Sequence, residues 1–255
     1  MTAHYHFPDV TLLITHYNRS NSLERLLRTF KERNCTFEDV VVSDDGSKPA
    51  HLEAIKELKK QFSFNLITTP ANQGLGNNIN KGQDAVRTAY TLYVQEDFMP
   101  TAIFVTHFQD ALQIINKEDK WDIIRFYSYL PYPHCKPYNN EFGEMIYKPW
   151  SLKRVKLFFY SDHPHLRRRN FLEKFGRYEE GGNHRKTEYL MCVNFIRKKG
   201  KGLFFKEYKS LFVQENSATE PSTWREKPWK TSKNPAIVFV RYVYRQIKYN
   251  YDLNF

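Results

Sequence analysis

The feature that most constrains this chain is an alternation repeated through its first hundred residues. A short apolar run ends in a polar loop, and an amphipathic or helix-forming stretch follows. The runs are residues 10–15 (VTLLIT), 40–42 (VVV), 64–68 (FNLIT) and 91–94 (TLYV), and the loops directly after them are HYNRSN, SDDGS, PANQGLGNN and QED. Short apolar runs with β-branched members, bounded by turn formers, read as buried strands of the parallel type. Leu23, Leu26, Leu27 and Phe30 recur at helical spacing behind Ser20 or Asn21, either of which suits an N-cap. Leu52, Ile55 and Leu58 share one face of a second helix, and a third is predicted over about 78–88. The order β-α-β-α-β-α-β predicts a parallel sheet with helices on both faces. Right-handed crossovers gather the loops after the strands along one edge, where ligands of open α/β sheets sit. HYNRSN, SDDGS and QED are therefore expected to meet.

Past residue 100 the pattern loosens. A helix is predicted over 102–115, a strand over 121–127, and helices around 166–175 and over 188–198, with a Pro/Tyr-rich stretch (YLPYPHCKPYNN) between. A chain of 255 residues can bury the core of one domain, and 41% apolar and 16% aromatic residues exclude general disorder. Only three scattered cysteines occur, Cys35, Cys135 and Cys192, which excludes a disulfide framework and a CxxC zinc site. The start, MTAHYHFPDV, lacks a basic region followed by an apolar one, and no run approaches the ~18 apolar residues that cross a bilayer. The expectation is a soluble cytoplasmic domain.

The formal charge is +11, and the basic residues thicken after Lys148, in KPWSLKRVK, HLRRR, RKKGKG and the last thirty residues. Such charge suits nucleic acid, an anionic membrane surface or phosphate-bearing small molecules, or is simply a Lys-rich solvated surface.

The loops carry the chemistry. Glu96 and Asp97 are adjacent carboxylates at a strand end, awkward unless a cation neutralises them, and oxygen ligands suit Mg²⁺ or Mn²⁺. Gln95, before them, offers only a carbonyl. Asp44 and Asp45 can accept hydrogen bonds from a ribose hydroxyl or a base. In the loop Asn72 to Asn78, Gly74 and Gly76 allow close backbone approach and the following helix N-terminus favours anions. Tyr17 can stack on a base, and Arg19 offers a fork to phosphate. Each of these, taken singly, is also ordinary turn chemistry, and His16 alone reads as a structural histidine.

Taken in order, LLITHYNR, VVVSDDGS, PANQGLGNNINKG and LYVQEDFMP resemble the inverting family-2 glycosyltransferases of GT-A fold, closely over residues 9–125 and loosely beyond. The resemblance implies a Rossmann-like, mostly parallel central sheet flanked by helices, with a looser C-terminal acceptor-side region. It implies a nucleotide-diphospho-sugar donor, a UDP-sugar foremost, over the carboxyl edge. Thr15, Tyr17, Arg19 and Asp45 match positions near the nucleoside, with Asp44 beside them, and Asn72, Gly74 and Gly76 match the flanking loop. Asp97 matches the second acid of the D-x-D metal motif, which implies Mn²⁺ or Mg²⁺. The first acid of that motif is Gln95 here, with Glu96 between. The late histidine of some members is replaced in VQENS, where Gln214 stands as its substitute.

Inversion needs a general base for the acceptor hydroxyl. The family places it near the start of a helix after the acceptor loops, which points to Glu188, with Glu180 and Asp162 as rivals and a plain helix-dipole charge as the ordinary alternative. In SDHPH, the imidazoles of His163 and His165 lie on the acceptor side or on a solvated face. The implied organisation is a transferase domain over 1–232, with a nucleotide-sugar half (1–125) and an acceptor half (126–232), then a basic, aromatic tail over 233–255. From Asn234 that tail mixes the residue types of an interfacial helix, which gives a peripheral membrane contact, or packs on the domain. A glycan or lipid-linked acceptor in cell-surface polysaccharide synthesis is the implied partner. A nucleic-acid-binding domain is the competing class, but no RRM, KH or zinc signature is present. A nucleotidyltransferase needs a phosphate loop straight after the first strand, which HYNRSN lacks.

Overall fold

The computed structural model describes residues 4–149, 151, 158–181, 184–216, 220 and 234–254. The expected domain boundary at 232/233 and most of the basic stretch at 148–156 lie outside these residues. The elements, in chain order, are β1 (Tyr5–His16), α1 (Ser20–Glu32), β2 (Cys35–Asp44), α2 (Pro49–Gln61), β3 (Asn65–Ile67), α3 (Leu75–Ala85), β4 (Tyr90–Gln95), β5 (Phe98–Pro100) and α4 (Phe104–Lys117). They continue as β6 (Ile123–Arg125), β7 (Cys135–Pro137), β8 (Phe142–Met145), β9 (His165–Arg168), α5 (Phe171–Phe175), α6 (His184–Arg197), β10 (Gly202–Phe205), β11 (Phe212–Gln214) and α7 (Pro235–Asn254).

Nine strands form one sheet in the order β3-β2-β1-β4-β9-β6-β10-β8-β7, and β5 pairs with β11 in a small second sheet. In the large sheet only β8 and β9 run against the other seven. Successive β1 residues face opposite sides, as pleating requires. Leu12 and Ile14 point into a core shared with Leu23, Leu26 and Phe30 of α1, Ile55 and Leu58 of α2, and Phe104 and Phe108 of α4. Leu13 points the other way, with Val41 and Tyr93, onto Ile79 of α3, Phe171 and Phe175 of α5, and Phe195 of α6. These are the two helical layers that the β-α alternation predicts. Fully burying each such side chain contributes roughly 1.5–3 kcal/mol.

The strands run longer than their apolar runs. β2 begins at Cys35, since its partly exposed first half still pairs with β1 from Tyr5↔Cys35 onward. The β1 ladder shifts register between Phe7 and Thr11, the interval holding Pro8, which has no N–H for a ladder. One expectation is overturned. Residues 166–168 are strand, and helix starts only at Phe171. β9 inserts antiparallel between β4 and β6, with Leu166 opposite both Leu92 and Ile124. Arg167 is fully buried there, its guanidinium donating to Gln83 Oε1 at 2.8 Å and to Tyr178 Oη at 2.6 Å.

Register sets the functional edge. β1, β2 and β4 stop together, with Thr15 opposite Ser43 and Gln95, and His16 opposite Asp44. The loops that follow therefore emerge side by side.

Candidate active site

Each loop is fixed by hydrogen bonds that the strand ends make available. His16 is buried, its Nδ1–H donates to Asp44 Oδ1 at 2.8 Å, and its Nε2 accepts the Arg19 N–H at 3.1 Å. That pairing fixes the neutral tautomer and the turn. Asp44 has no exposed surface. Burial alone would raise its pKa, but hydrogen bonds from His16, from the Ser47 hydroxyl and N–H, and from Thr68 hold it well below the usual carboxylate range. Asp44 therefore reaches the edge only through the groups it holds.

Asp45 spans the mouth of the next loop. Its Oδ1 accepts the Gln73 N–H at 2.8 Å and its Oδ2 the Gly74 N–H at 2.9 Å, placing a carboxylate at the positive end of α3. The anion expected at that helix start is thus the protein's own. Gly74 sits at φ +89°, a left-handed value that a side chain would strain. At Gly76 a Cβ would meet Glu179 O at 2.0 Å, so this glycine serves the close approach of α3 to the Tyr178–Glu180 strand of chain. Thr15 is also interior, its hydroxyl 3.0 Å from Tyr93 Oη. Tyr17 and Gln95 are half-buried, and Asn72 is exposed on the loop.

Glu96 and Asp97 turn the chain from β4 into β5. Arg19 Nη1 lies 3.1 Å from Asp97 Oδ2 and 3.6 Å from Glu96 Oε1. Gln214 Nε2, brought across by the β5–β11 pairing, donates to Asp97 Oδ2 at 2.8 Å. Asp97 Oδ1 is buried and, among the described residues, has no partner. Burial and the neighbouring Asp97 push Glu96 up to about 8, against the pull of Arg19.

A hard divalent cation is held by one or two carboxylates, with substrate phosphates and water completing its shell. The unpartnered Asp97 Oδ1 fits that role as a single ligand. Among the described residues, the one three-member His/Asp/Glu set within ligating reach is His107, Asp110 and Glu141. It ties α4 to the β7–β8 turn and shares no residue with this edge.

Asp162 and Glu188 form a further acid pair. The Asp162 N–H points at Glu188 Oε1 (3.4 Å), and burial together with the adjoining Glu188 carboxyl drives Asp162 far above its usual range. Burial and the facing carboxyl thus favour the neutral form of Asp162. α6 starts at His184, so Glu188 lies one turn into the helix rather than opening it. Arg125, buried and with Nε and Nη2 unpartnered, supplies positive potential to Glu188. Glu180 is occupied elsewhere, accepting from Asn77 at 2.9 Å and Asn80 at 2.7 Å.

His163 sits between the two acid sites, feeling both Glu188 and Asp97, and burial pushes it down to about 4, so it is neutral at pH 7. Its ring meets Phe98, Tyr127 and Tyr129. Tyr129 Oη donates to Gln214 Oε1 at 2.7 Å, which links the acceptor side to Asp97. His165 belongs to β9 and is wholly interior.

Sequence reasoning missed Tyr129, Arg125, Asn216 and Glu220. Asn216 and the Glu220 carbonyl both accept from Arg19. The Glu220 carboxylate also takes the Asn21 and Ser22 N–H groups, each at 2.9 Å. It caps α1 in place of the expected Ser20 or Asn21, whose side chains make no capping bond. Only Arg125 left a trace in the sequence, as a charge inside the apolar stretch 121–127.

This large, mostly parallel sheet flanked by helices is of the GT-A type. The sequence profile described as Glycosyl transferase family 2 matches residues 11–176, well over half of the chain, and the chain belongs to that family. The poly-β-1,6-N-acetyl-D-glucosamine synthase of Staphylococcus epidermidis is 23% identical over 96 residues, 38% of this chain and 23% of that protein. The chain thus spans about a quarter of this relative's length. Among solved structures, S. aureus TarS 1–349 in complex with UDP-GlcNAc superposes with a TM-score of 0.62 at 14% identity, covering 87% of this chain and 62% of that one. The mannosyltransferase PcManGT from Pyrobaculum calidifontis, in complex with GDP-Man and Mn²⁺, gives 0.56 at 14% identity, covering 83% and 58%.

Proposed function

We propose that this glycosyltransferase transfers a sugar, with inversion, from a UDP-sugar to a hydroxyl of a glycan or lipid-linked acceptor in cell-surface polysaccharide synthesis. The catalytic unit is 1–232, with 233–255 an appended tail. The observation that carries the reading is a continuous set of contacts that joins Asp97 to Glu188: Gln214 bonds Asp97 and Tyr129, Tyr129 meets the His163 ring, and the neighbouring Asp162 N–H points at Glu188. The complexes of TarS with UDP-GlcNAc and of PcManGT with GDP-Man and Mn²⁺ support a nucleotide-sugar donor and a divalent cation.

In this reading Tyr17 and Asn72 contact the nucleoside, with Asp45 between them. Thr15, Asp44, Gly74 and Gly76 hold that surface in shape, and Gln95 flanks the sugar. Glu188 takes the acceptor O–H proton as the acceptor oxygen attacks the anomeric carbon, and the bond from that carbon to the diphosphate breaks on the opposite face. Arg19 faces the departing diphosphate, while Glu96 and Asp97 hold the guanidinium in place. Mn²⁺ or Mg²⁺, held by Asp97, would supply Lewis-acid charge for the leaving group. Neutral His163 and the Tyr129–Gln214 link connect the two sides.

Titration of UDP-, GDP- and dTDP-sugars with Mn²⁺ tests the donor. A rise in melting temperature with a UDP-sugar alone supports the reading, and no shift with any of the three sinks it. Determining the anomeric configuration of the product by NMR tests inversion.

A further inference from the structure

Among the described residues, α7 meets the domain at α6. Tyr189 of α6 donates to Asp252 Oδ2, its ring lies 5.5 Å from that of Tyr249, and Lys248 sits over it at 5.1 Å. At 3.6 residues per turn, Val240, Tyr244, Ile247 and Tyr251 fall within a stripe roughly 60° wide, turned away from Tyr249 and Asp252. All four are open to solvent, at 57%, 63%, 66% and 63%. Large apolar side chains this exposed, in one continuous row, mark a surface that something covers. Arg241 and Lys248 lie along one shoulder of the row, and Arg245 follows behind them.

We propose that α7 is an interfacial anchor that lays the Val240–Tyr251 row into the headgroup region of an anionic lipid bilayer. Three observations choose this occupant. No described helix is long and apolar enough to cross a membrane, so the row lies along a surface rather than through it. Within α7 Asp252 pairs with Lys248 and accepts from Tyr189 of α6, which leaves Arg241 and Arg245 as the excess positive charge of the helix, and the whole chain carries +11. That charge draws the helix to anionic lipid and sets two copies of the chain against each other. Tyrosines in the row beside a basic shoulder match the apolar and polar layers of a bilayer interface. The helix docks through Tyr189, the residue after Glu188, so the anchor holds the acceptor side of the domain against the lipid. The proposal goes beyond the transferase reading and stands without it.

The test is flotation of the full chain with phosphatidylcholine vesicles, with and without phosphatidylglycerol. The chain is expected to float with the anionic vesicles and to be released by high salt. The combined Val240→Ser, Tyr244→Ser and Ile247→Ser variant should lose binding by roughly tenfold or more. These side chains are mostly in solvent, so its melting temperature should stay at the wild-type value, and Arg241→Glu should weaken binding without touching the row. Failure of the wild-type chain to float with anionic vesicles overturns the proposal, as does undiminished flotation of the triple variant. Concentration-dependent dimerisation that the triple variant abolishes, without lipid binding, would assign the row to a second copy instead. The UDP-sugar melting shift, measured on the same preparations, reports separately on the donor reading.

Discussion

The acid pairs Asp44–Asp45 and Glu96–Asp97 look alike in the sequence, each adjacent and each following a strand, yet they are built as opposites. Every oxygen of the first pair accepts a hydrogen bond, from His16, Ser47 and Thr68 at Asp44 and from the start of α3 at Asp45. The second pair shares one guanidinium, leaves Asp97 Oδ1 without a partner among the described residues, and carries Glu96 with its pKa raised to about 8. Asp162 and Glu188 form a third pair, in contact with each other, in which burial and the Glu188 carboxyl drive Asp162 upward. In the proposed reading the satisfied pair stabilises the fold and the unsatisfied one serves the chemistry.

That contrast can be broken by experiment. Glu188→Gln should lower turnover by about 10³-fold, near 4 kcal/mol of barrier, while leaving the UDP-sugar melting shift intact. Near-wild-type turnover would hand the base to another group. Asp97→Ala should lower turnover by about 10²-fold and weaken the Mn²⁺ dependence of donor binding, read by calorimetry. Asp44→Asn should act on stability instead. It breaks a buried, fully bonded charge, at a cost of about 3 kcal/mol in denaturant unfolding at pH 7.

Acidity separates the pairs further. Asp44 titrates lower in the folded chain than in the unfolded one, so its contribution is present above the ordinary carboxylate range and fades as pH falls below it. Glu96 is the reverse. The folded chain holds its proton up to about 8, the unfolded chain releases it near 4.5, and stability falls as pH rises between those values. Glu96→Gln should therefore leave the melting temperature unchanged at pH 4 and raise it by a few degrees at pH 8. An equal effect at both pH values would refute the raised pKa. The smallest expected effect is Glu220→Ala, which removes the α1 cap at about 1 kcal/mol.

The four loops were legible in the sequence because apolar runs stop where strands stop, and parallel register brings those stops together. Asp44 against His16 and Thr15 against Gln95 are consequences of that rule. HLRRR was not legible. Its basic residues read as a solvated face or the start of a helix, yet they build the strand β9 at the centre of the sheet. Arg167 is buried against Gln83 and Tyr178, and Arg168 donates to the carbonyls of Trp121 and Ile115. No local pattern names partners so far away along the chain. The α1 cap was hidden for the same reason, since Glu220 is about two hundred residues from the helix it closes.

Glu220 and Asn216 lie beyond every motif that identifies the family, yet they fasten the first loop of the domain from above. A fragment ending near residue 125 would keep all four recognisable loops and lose the clasp on Arg19. Such a half-enzyme should fail to grip its nucleotide even if it folded. The unit that evolution, or an engineer, can cut and transplant is therefore the full closed circuit from β1 to the segment after β11.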